Sequence, residues 1–232
     1  MERYLYLSID VAAILIPVVF SFHPRAPFYK QWKYLAISML VSAALFIVWD
    51  VLFTDMKVWG FNSRYTTGIY FFNLPIEEVL FFICVPYACV FTYFALNNII
   101  PDDYLRPYQE LITSAFCVIL FVGGLYHLDK WYTGITFLLT AGFLAFQLMV
   151  LKPNYMGRFY FAFGFILIPF FLLNGILTGS MIEEEVVWYN DNENLGFRLG
   201  TIPIEDVFYG MLLLVLNVSI FEWLRIRNNI YT

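Results

Sequence analysis

The sequence predicts an all-α integral membrane protein with seven transmembrane helices, built as two parallel three-helix repeats joined by a linking helix. Three observations support this fold class. Of 232 residues, 61% are hydrophobic and 13% are charged, whereas a soluble domain has about 45–50% apolar and about 25% charged residues. Seven apolar stretches are long enough to cross a bilayer, and one short acidic motif occurs twice.

The apolar stretches are identified by their length. A helix that crosses a hydrocarbon core of about 30 Å needs roughly 20 apolar residues. The stretches lie at 4–22, 34–53, 75–96, 111–127, 131–151, 158–178 and 203–224. The first has the position of a signal peptide, but Glu2 precedes it, Asp10 interrupts it and no small-residue cleavage site follows, so we expect a retained helix.

The orientation follows from the distribution of lysine and arginine, which are enriched on the cytoplasmic side. Of the 13 basic residues, eight lie on the side reached after the first, third, fifth and seventh helices: Arg25, Lys30, Lys33, Arg106, Lys152, Arg158, Arg225 and Arg227. The other five are Arg3, Lys57, Arg64, Lys130 and Arg198. We therefore predict a multi-pass protein of the cell membrane with an extracytoplasmic N-terminus and a cytoplasmic C-terminus.

The acidic motif defines an internal repeat. It reads LPIEEV at 74–79 and IPIEDV at 202–207. An offset of 128 residues aligns Gly68 with Gly196, Pro75 with Pro203, and Phe81 with Tyr209. The chain then divides into a first repeat (1–97), a linking helix (98–130) and a second repeat (131–232). Because three helices and one linking helix return the chain to its starting side, the repeats run parallel and both motifs open on the same membrane face.

The two acids of each motif are the candidate catalytic groups: Glu77, Glu78, Glu205 and Asp206. Proline is tolerated in the first turn of a helix, and acids there gain about 0.3–1 kcal/mol each from the helix dipole. A purely structural cap would therefore explain one copy, and duplication could have copied it. Acids inside a membrane are costly, however, and usually functional. Desolvation and mutual repulsion favour one protonated and one ionised carboxyl in each pair, which supplies an acid beside a base.

Two aromatic residues follow the motifs and are candidates for substrate binding. Phe81 and Tyr209 lie four residues after Glu77 and Glu205, one helical turn further along the same face. An aromatic ring attracts cations, which suits a reaction through a carbocation. Aromatic residues are also common at membrane interfaces and in lipid, so packing alone is the competing interpretation.

Further polar residues occur toward the same membrane face, namely Asp10, Asp50 and Asn174. We predict Asp50 and Asn174 to contribute to substrate binding. The alternatives for Asp50 are an ion pair with Arg64 in the following loop or a hydrated position at the interface.

Other classes of site have little support. Cys84, Cys89 and Cys117 lack the spacing of a zinc site, and two histidines cannot form a His-rich metal centre. We predict no metal site, although magnesium bound by carboxylates stays open. Nucleic acid is not an expected partner, because no basic stripe is present. No nucleotide-binding loop or nucleophile elbow occurs. Acid–base chemistry on a lipid-soluble substrate, or a proton-coupled carrier without catalysis, is what the sequence supports.

The duplicated Pro-x-Glu-Glu/Asp motif, each copy heading the third helix of a three-helix unit, resembles the membrane-integral lycopene cyclase family. The segment NGILTG at 174–179 gives weaker support. In that family two small homologous subunits act together or are fused in one chain, and the cyclase domain of fungal bifunctional enzymes is similar. The second motif here is Glu-Asp, one methylene shorter at its second acid.

The resemblance implies an isomerisation by an intramolecular lyase. A linear end group of lycopene is protonated at C2, the C5–C6 double bond attacks the C1 cation, and loss of a proton from C6 gives a β-ring. The motif acids become the acids and bases. The implied partners are a lipophilic carotenoid, the lipid bilayer and other enzymes of the carotenoid pathway. No cofactor is evident, and a non-redox requirement for a flavin or nicotinamide nucleotide stays open. The alternative within enzymes is a carotenoid hydratase, in which water captures the same cation.

Overall fold

The computed structural model describes residues 2–230, with side chains through Arg227. The described residues form seven α-helices: α1 (Leu5–Phe20), α2 (Trp32–Asp55), α3 (Ile76–Ile99), α4 (Gln109–Tyr126), α5 (Trp131–Phe146), α6 (Met156–Leu177) and α7 (Ile204–Ile230). Each belongs to a helical segment long and apolar enough to cross a membrane. The predicted class, an all-α protein with seven membrane-spanning helices, is confirmed, whereas its arrangement as two parallel repeats stays a prediction.

The third helix of each predicted repeat lies at the centre of the bundle. Helix α1 packs against α3, and α5 packs against α7. Helices α2 and α6 each contact both central helices, so α2 reaches α7 and α6 reaches α3 across the boundary between the predicted repeats. Half of the α7 span is buried, against 17% of the α4 span. Helix α4 therefore lies at the periphery, where it packs mainly against α5.

A short β-hairpin leads into each central helix. Strand β2 (Tyr70–Phe71) pairs with β3 (Leu74–Pro75), and β5 (Arg198–Leu199) pairs with β6 (Ile202–Pro203). In both cases the amide of the first helical residue donates a hydrogen bond across the hairpin, from Ile76 to the Ile69 carbonyl and from Ile204 to the Phe197 carbonyl. The two acidic motifs therefore begin their helices in the same local geometry.

The motif prolines lie one residue before the position that the sequence predicted. Pro75 has an extended backbone (φ −62°, ψ 149°), and α3 begins at Ile76. Pro203 likewise ends β6, and α7 begins at Ile204. Proline fits this place because its φ suits both an extended strand end and the approach to a helix, and the helix start needs no N–H from it.

The long connections after α2 and α6 join over one end of the bundle. Strand β1 (Trp59–Phe61) pairs antiparallel with β4 (Val187–Tyr189). Gly60 faces the Trp188 ring so closely that a Cβ would lie 2.3 Å from a ring carbon. We call these two connections, residues 56–75 and 178–203, the loop cover. The two connections thus form one paired structure.

Arg64 fastens the outer side of the loop cover. Its guanidinium forms 2.7 Å contacts with Glu2, which precedes α1, and with Glu183 in the connection after α6. These hydrogen bonds raise the pKa of the Arg64 guanidinium above its usual value. Arg64 is therefore engaged with surface acids and does not pair with Asp50.

Gly157, in the first turn of α6, provides a test of the packing between α6 and the segment before α4. A Cβ there would lie 2.6 Å from the Arg106 amide nitrogen, whereas one at Gly164 in the same helix would meet nothing within 4 Å. We expect Gly157→Ala to destabilise the protein by about 1–3 kcal/mol through overpacking. The control Gly164→Ala should be neutral or stabilising by up to about 1 kcal/mol. Thermal unfolding in detergent micelles measures both; equal midpoints would contradict the predicted close contact.

Candidate active site

A cavity of about 430 Å³ lies inside the bundle. Its walls come mainly from α1, α3, α6 and α7, and residues of β1 and β4 close the end beneath the loop cover. Most of the lining is apolar, but four carboxyl groups reach it, those of Asp10, Asp50, Glu78 and Asp206. All four are at most 8% exposed. Acids at this depth need hydrogen-bond donors or protons to offset their lost hydration.

Asp206 is surrounded by donors. The Tyr132 hydroxyl donates to its Oδ1. The Asn174 amide donates to Oδ2 at 2.7 Å, and the Tyr189 hydroxyl donates to the same oxygen at 2.9 Å. Burial, and then the nearby Asp206 carboxylate, raise the pKa of Tyr189 well above its usual range, so this phenol keeps its proton. A carboxylate that accepts three hydrogen bonds is suited to act as a proton acceptor.

Glu78 is placed differently. It accepts a hydrogen bond from the Tyr6 hydroxyl, and its carboxyl group lines the same cavity as that of Asp50. Asp50 also accepts a hydrogen bond from the Trp59 indole at 2.5 Å. Asp50 Oδ2 has no hydrogen-bond partner among the described residues, and repulsion between two buried carboxylates favours a state in which one of them carries a proton. The Glu78–Asp50 pair is therefore suited to hold and donate a proton, and Asp50 is neither paired with Arg64 nor hydrated at the interface.

The other two motif acids point away from the cavity. Among the described residues, neither Glu77 nor Glu205 is part of the cavity wall, although both are fully buried. Glu77 accepts a hydrogen bond from the Thr67 amide at 2.7 Å. Glu205 accepts one from the Leu195 amide at 2.8 Å and one from the Thr133 hydroxyl at 2.6 Å. In each motif one acid thus holds the loop cover while its neighbour faces the cavity.

Both predicted aromatic residues line the cavity, but each shares the cavity wall with the second acid of its motif and not with the first. Phe81 and Tyr209 share the cavity wall with Glu78 and Asp206, which lie three residues before them, and not with the acids four residues before them. Tyr209 is held by Phe46 and Trp49, with ring centroids 5.0 and 5.1 Å apart. Asn174 also lines the cavity and, as described above, orients Asp206.

Four lining residues that donate to these acids were missed by the sequence analysis: Tyr6, Trp59, Tyr132 and Tyr189. Tyr6 and Tyr132 lie near the starts of α1 and α5 and bind the second acid of each motif, so comparing the first helices of the two predicted repeats could have found them. Trp59 and Tyr189 are brought in by the β1–β4 pairing, for which the sequence has no local signal.

Asp10 is the least satisfied of the four acids. Neither of its carboxyl oxygens has a hydrogen-bond partner among the described residues. It lines the cavity on α1, the helix that packs against the Glu78 helix. A buried acid without a donor is costly in a membrane and is typical of a functional site.

A family model described as lycopene cyclase matches residues 3–96 and 129–224. The chain belongs to the lycopene cyclase family. Residues 97–128, which contain α4, lie outside both matched segments of this family member. The resemblance stated from the motifs is thereby confirmed, and membership of the family implies a cyclase.

A curated relative supports the same family. The chain is 26% identical over 115 residues to a bifunctional lycopene cyclase/phytoene synthase of Arthroderma gypseum. The match covers 48% of this chain and 19% of the fungal protein, so the matched segment spans about a fifth of that relative's length. No solved structure gives a significant match.

Glu205 provides a test of how the loop cover is held. Glu205→Ala would leave the Leu195 amide and the Thr133 hydroxyl without their acceptor, at a cost of about 1–3 kcal/mol for each unsatisfied donor. We expect a lower unfolding midpoint and faster proteolysis within residues 179–201. Glu185→Ala is the control, because Glu185 lies in the same connection, is exposed, and makes no side-chain hydrogen bond or ion pair with the described residues. Equal cleavage rates in the two variants would contradict a fastening role for Glu205.

Proposed function

We propose that the chain is a lycopene cyclase of the β type, an intramolecular lyase that converts linear end groups of lycopene to β-rings. The observation that carries this proposal is the pair of unlike acid sites on the walls of one apolar cavity. On one wall Glu78 and Asp50 are two buried carboxyl groups that can hold one proton between them, and on another Asp206 accepts three hydrogen bonds. An isomerisation that adds a proton at one carbon and removes one at another needs such a donor and acceptor.

In the proposed reaction the Glu78–Asp50 pair donates a proton to C2 of the end group. The C1 cation is attacked by the C5–C6 double bond, which forms the C1–C6 bond and moves the positive charge to C5. Asp206 then removes the proton from C6, and the electrons of that C–H bond form the new C5–C6 double bond. One proton enters and one leaves, so the substrate and product are isomers.

The protein must also return the proton from Asp206 to Glu78. Tyr209 is suited to this role, because its side chain lines the same cavity as Asp50, Glu78 and Asp206 and carries a hydroxyl group that can both donate and accept a proton. General acid–base catalysis contributes about 10²–10⁴-fold in rate. The return path completes the cycle without any net consumption of protons.

The cation needs a dry and electron-rich environment. The aromatic lining of Phe81, Trp59 and Tyr209 offers ring faces to the positive charge. The loop cover separates the acids from the aqueous side, and the remaining lining is mostly aliphatic or aromatic. Exclusion of water favours ring closure over capture of the cation by water.

The proposal includes the predicted membrane arrangement. The loop cover and both acidic motifs would lie toward the extracytoplasmic face, and the C-terminus would lie in the cytoplasm. A lycopene-producing reaction must supply the substrate within the same membrane, which makes other carotenoid-pathway enzymes the expected neighbours.

Expression in bacteria that accumulate lycopene tests the function. We expect pigments of unchanged mass and altered retention, consistent with one or two β-rings. A mass increase by one water would indicate a hydratase instead. Unchanged lycopene in cells with abundant folded protein would overturn the proposal, and proton flux in liposomes without added carotenoid would then favour the carrier.

The two acids of each motif are expected to differ in their effect on turnover. Glu78→Gln and Asp206→Asn should lower kcat by about 10²–10⁴-fold, since each removes a proton-transfer group. Glu77→Gln and Glu205→Gln are matched controls, because they neutralise the neighbouring acids that bind loop amides, and their folded fraction should retain most of the wild-type kcat. Rates are measured per folded protein in lipid. Equal losses from all four substitutions would contradict the division of roles.

A further inference from the structure

Among the described residues, the exposed part of the cavity wall lies between α1 and α6. Four of its lining residues are exposed, Ala12 and Ile16 on α1 and Pro169 and Leu172 on α6. Ile16 is 64% and Leu172 is 59% exposed. All four lie at least one turn from either end of helices that are apolar enough to cross a membrane. The opening therefore faces the hydrocarbon region of the bilayer.

The end of the cavity beneath the loop cover is closed. Three lining residues there are buried, with Tyr6 1%, Trp59 5% and Val187 8% exposed, and Phe61 and Tyr189 are half-buried. The pairing of β1 with β4 covers them. A water-soluble ligand would have to displace this paired structure, whereas a lipid-soluble ligand meets an existing opening.

The corresponding boundary on the opposite side, between α2 and α5, is filled by aromatic rings. From these two helices, the lining residues among those described are Asp50 and Tyr132. Trp59 packs between Phe53 and Tyr132, with ring centroids 4.9 and 5.0 Å apart, and Trp49 packs on Tyr209 at 5.1 Å. The two boundaries between the predicted repeats are therefore unequal, and the α1–α6 boundary is the open one.

The shape of the cavity suits an extended chain. Its lining follows α3 from Glu78 to Thr92, a length of roughly 20 Å at 1.5 Å per residue. The acids occupy the end near the loop cover, and the α1–α6 opening lies farther along the bundle. Ala12 and Ala13 have small side chains, so they leave space on the α1 side of the opening.

We propose that the α1–α6 opening, defined by Ala12, Ile16, Pro169 and Leu172, is a lateral portal for a long acyclic isoprenoid polyene. The inference rests on the proposed function. The substrate leaves the bilayer end group first, places that end at the carboxyl groups, and keeps the rest of its chain between α1 and α6 and in the lipid. The portal thereby selects for an extended, apolar and flexible end, and imposes no limit on the length that stays outside.

The portal is tested by narrowing it from the lipid side. Ala12→Phe combined with Ile16→Phe adds two rings at the opening, where both positions are exposed and do not press on the core. The control combines Val11→Phe with Leu15→Phe, two exposed positions on the same helix that are not among the lining residues. Proteins are placed in liposomes that contain lycopene. Two readouts are taken: kcat/KM for cyclisation, and quenching of tryptophan fluorescence by bound lycopene through energy transfer.

We expect the narrowed variant to lose at least about tenfold in kcat/KM and to show less quenching than the control. Equal values in the narrowed and control variants would overturn the portal. If the wild type forms no cyclic product but quenching still separates the two variants, the proposed function fails and the portal stands. Should the narrowed variant not fold, Ile16→Ala decides, because a wider portal should raise kcat/KM and lycopene occupancy, and the absence of any increase would overturn the proposal.

Discussion

The structure depends on matching buried carboxyl groups with donors or protons inside a membrane-spanning bundle. A carboxylate left alone at this depth is costly, and every acid of the cavity except Asp10 has a particular donor. Tyrosine hydroxyls reach Glu78 and Asp206 from the starts of α1 and α5, and the indole of Trp59 reaches Asp50 from the loop cover. Both the helix packing and the loop pairing therefore supply donors to buried carboxyl groups. This explains why the connections after α2 and α6 are structured.

The two adjacent acids of each motif have different roles. Neighbouring residues on a helix point about 100° apart, so two acids in a row address different surroundings. The first acid binds backbone amides of the loop cover, and the second faces the cavity. The loop cover and the cavity are therefore coupled at the first turn of α3 and of α7. Duplication of the six-residue motif would copy the loop-binding acid and the cavity-facing acid together, and would therefore preserve their separate roles.

The sequence predicted those features that depend on local composition or spacing. The seven helices were found because apolar length alone identifies a membrane span, and the acidic motifs were found because they recur. The orientation of each acid was not predicted, since Glu77 and Glu78, four and three residues before Phe81, both lie near its face of the helix, and the rotation of α3 in the bundle decides which of them faces the cavity. Trp59 and Tyr189 could not be predicted, because they reach the cavity through strand pairing between segments more than a hundred residues apart. The closed α2–α5 boundary was also not predicted, since an internal repeat suggests two equivalent boundaries. Trp49, Phe53 and Trp59 fill the α2–α5 boundary, whereas the α1–α6 boundary has exposed lining residues.

The single open boundary has a consequence for a substrate with two identical ends. A molecule that enters sideways through one opening can present one end to the acids, and its other end stays in the lipid. To react at the second end it must withdraw, turn round in the bilayer and return. The half-converted molecule is then a free membrane solute between the two events, in competition with unreacted molecules for the same opening. The proportion of once- and twice-converted product would follow the supply of fresh substrate in the membrane, without any change in the protein.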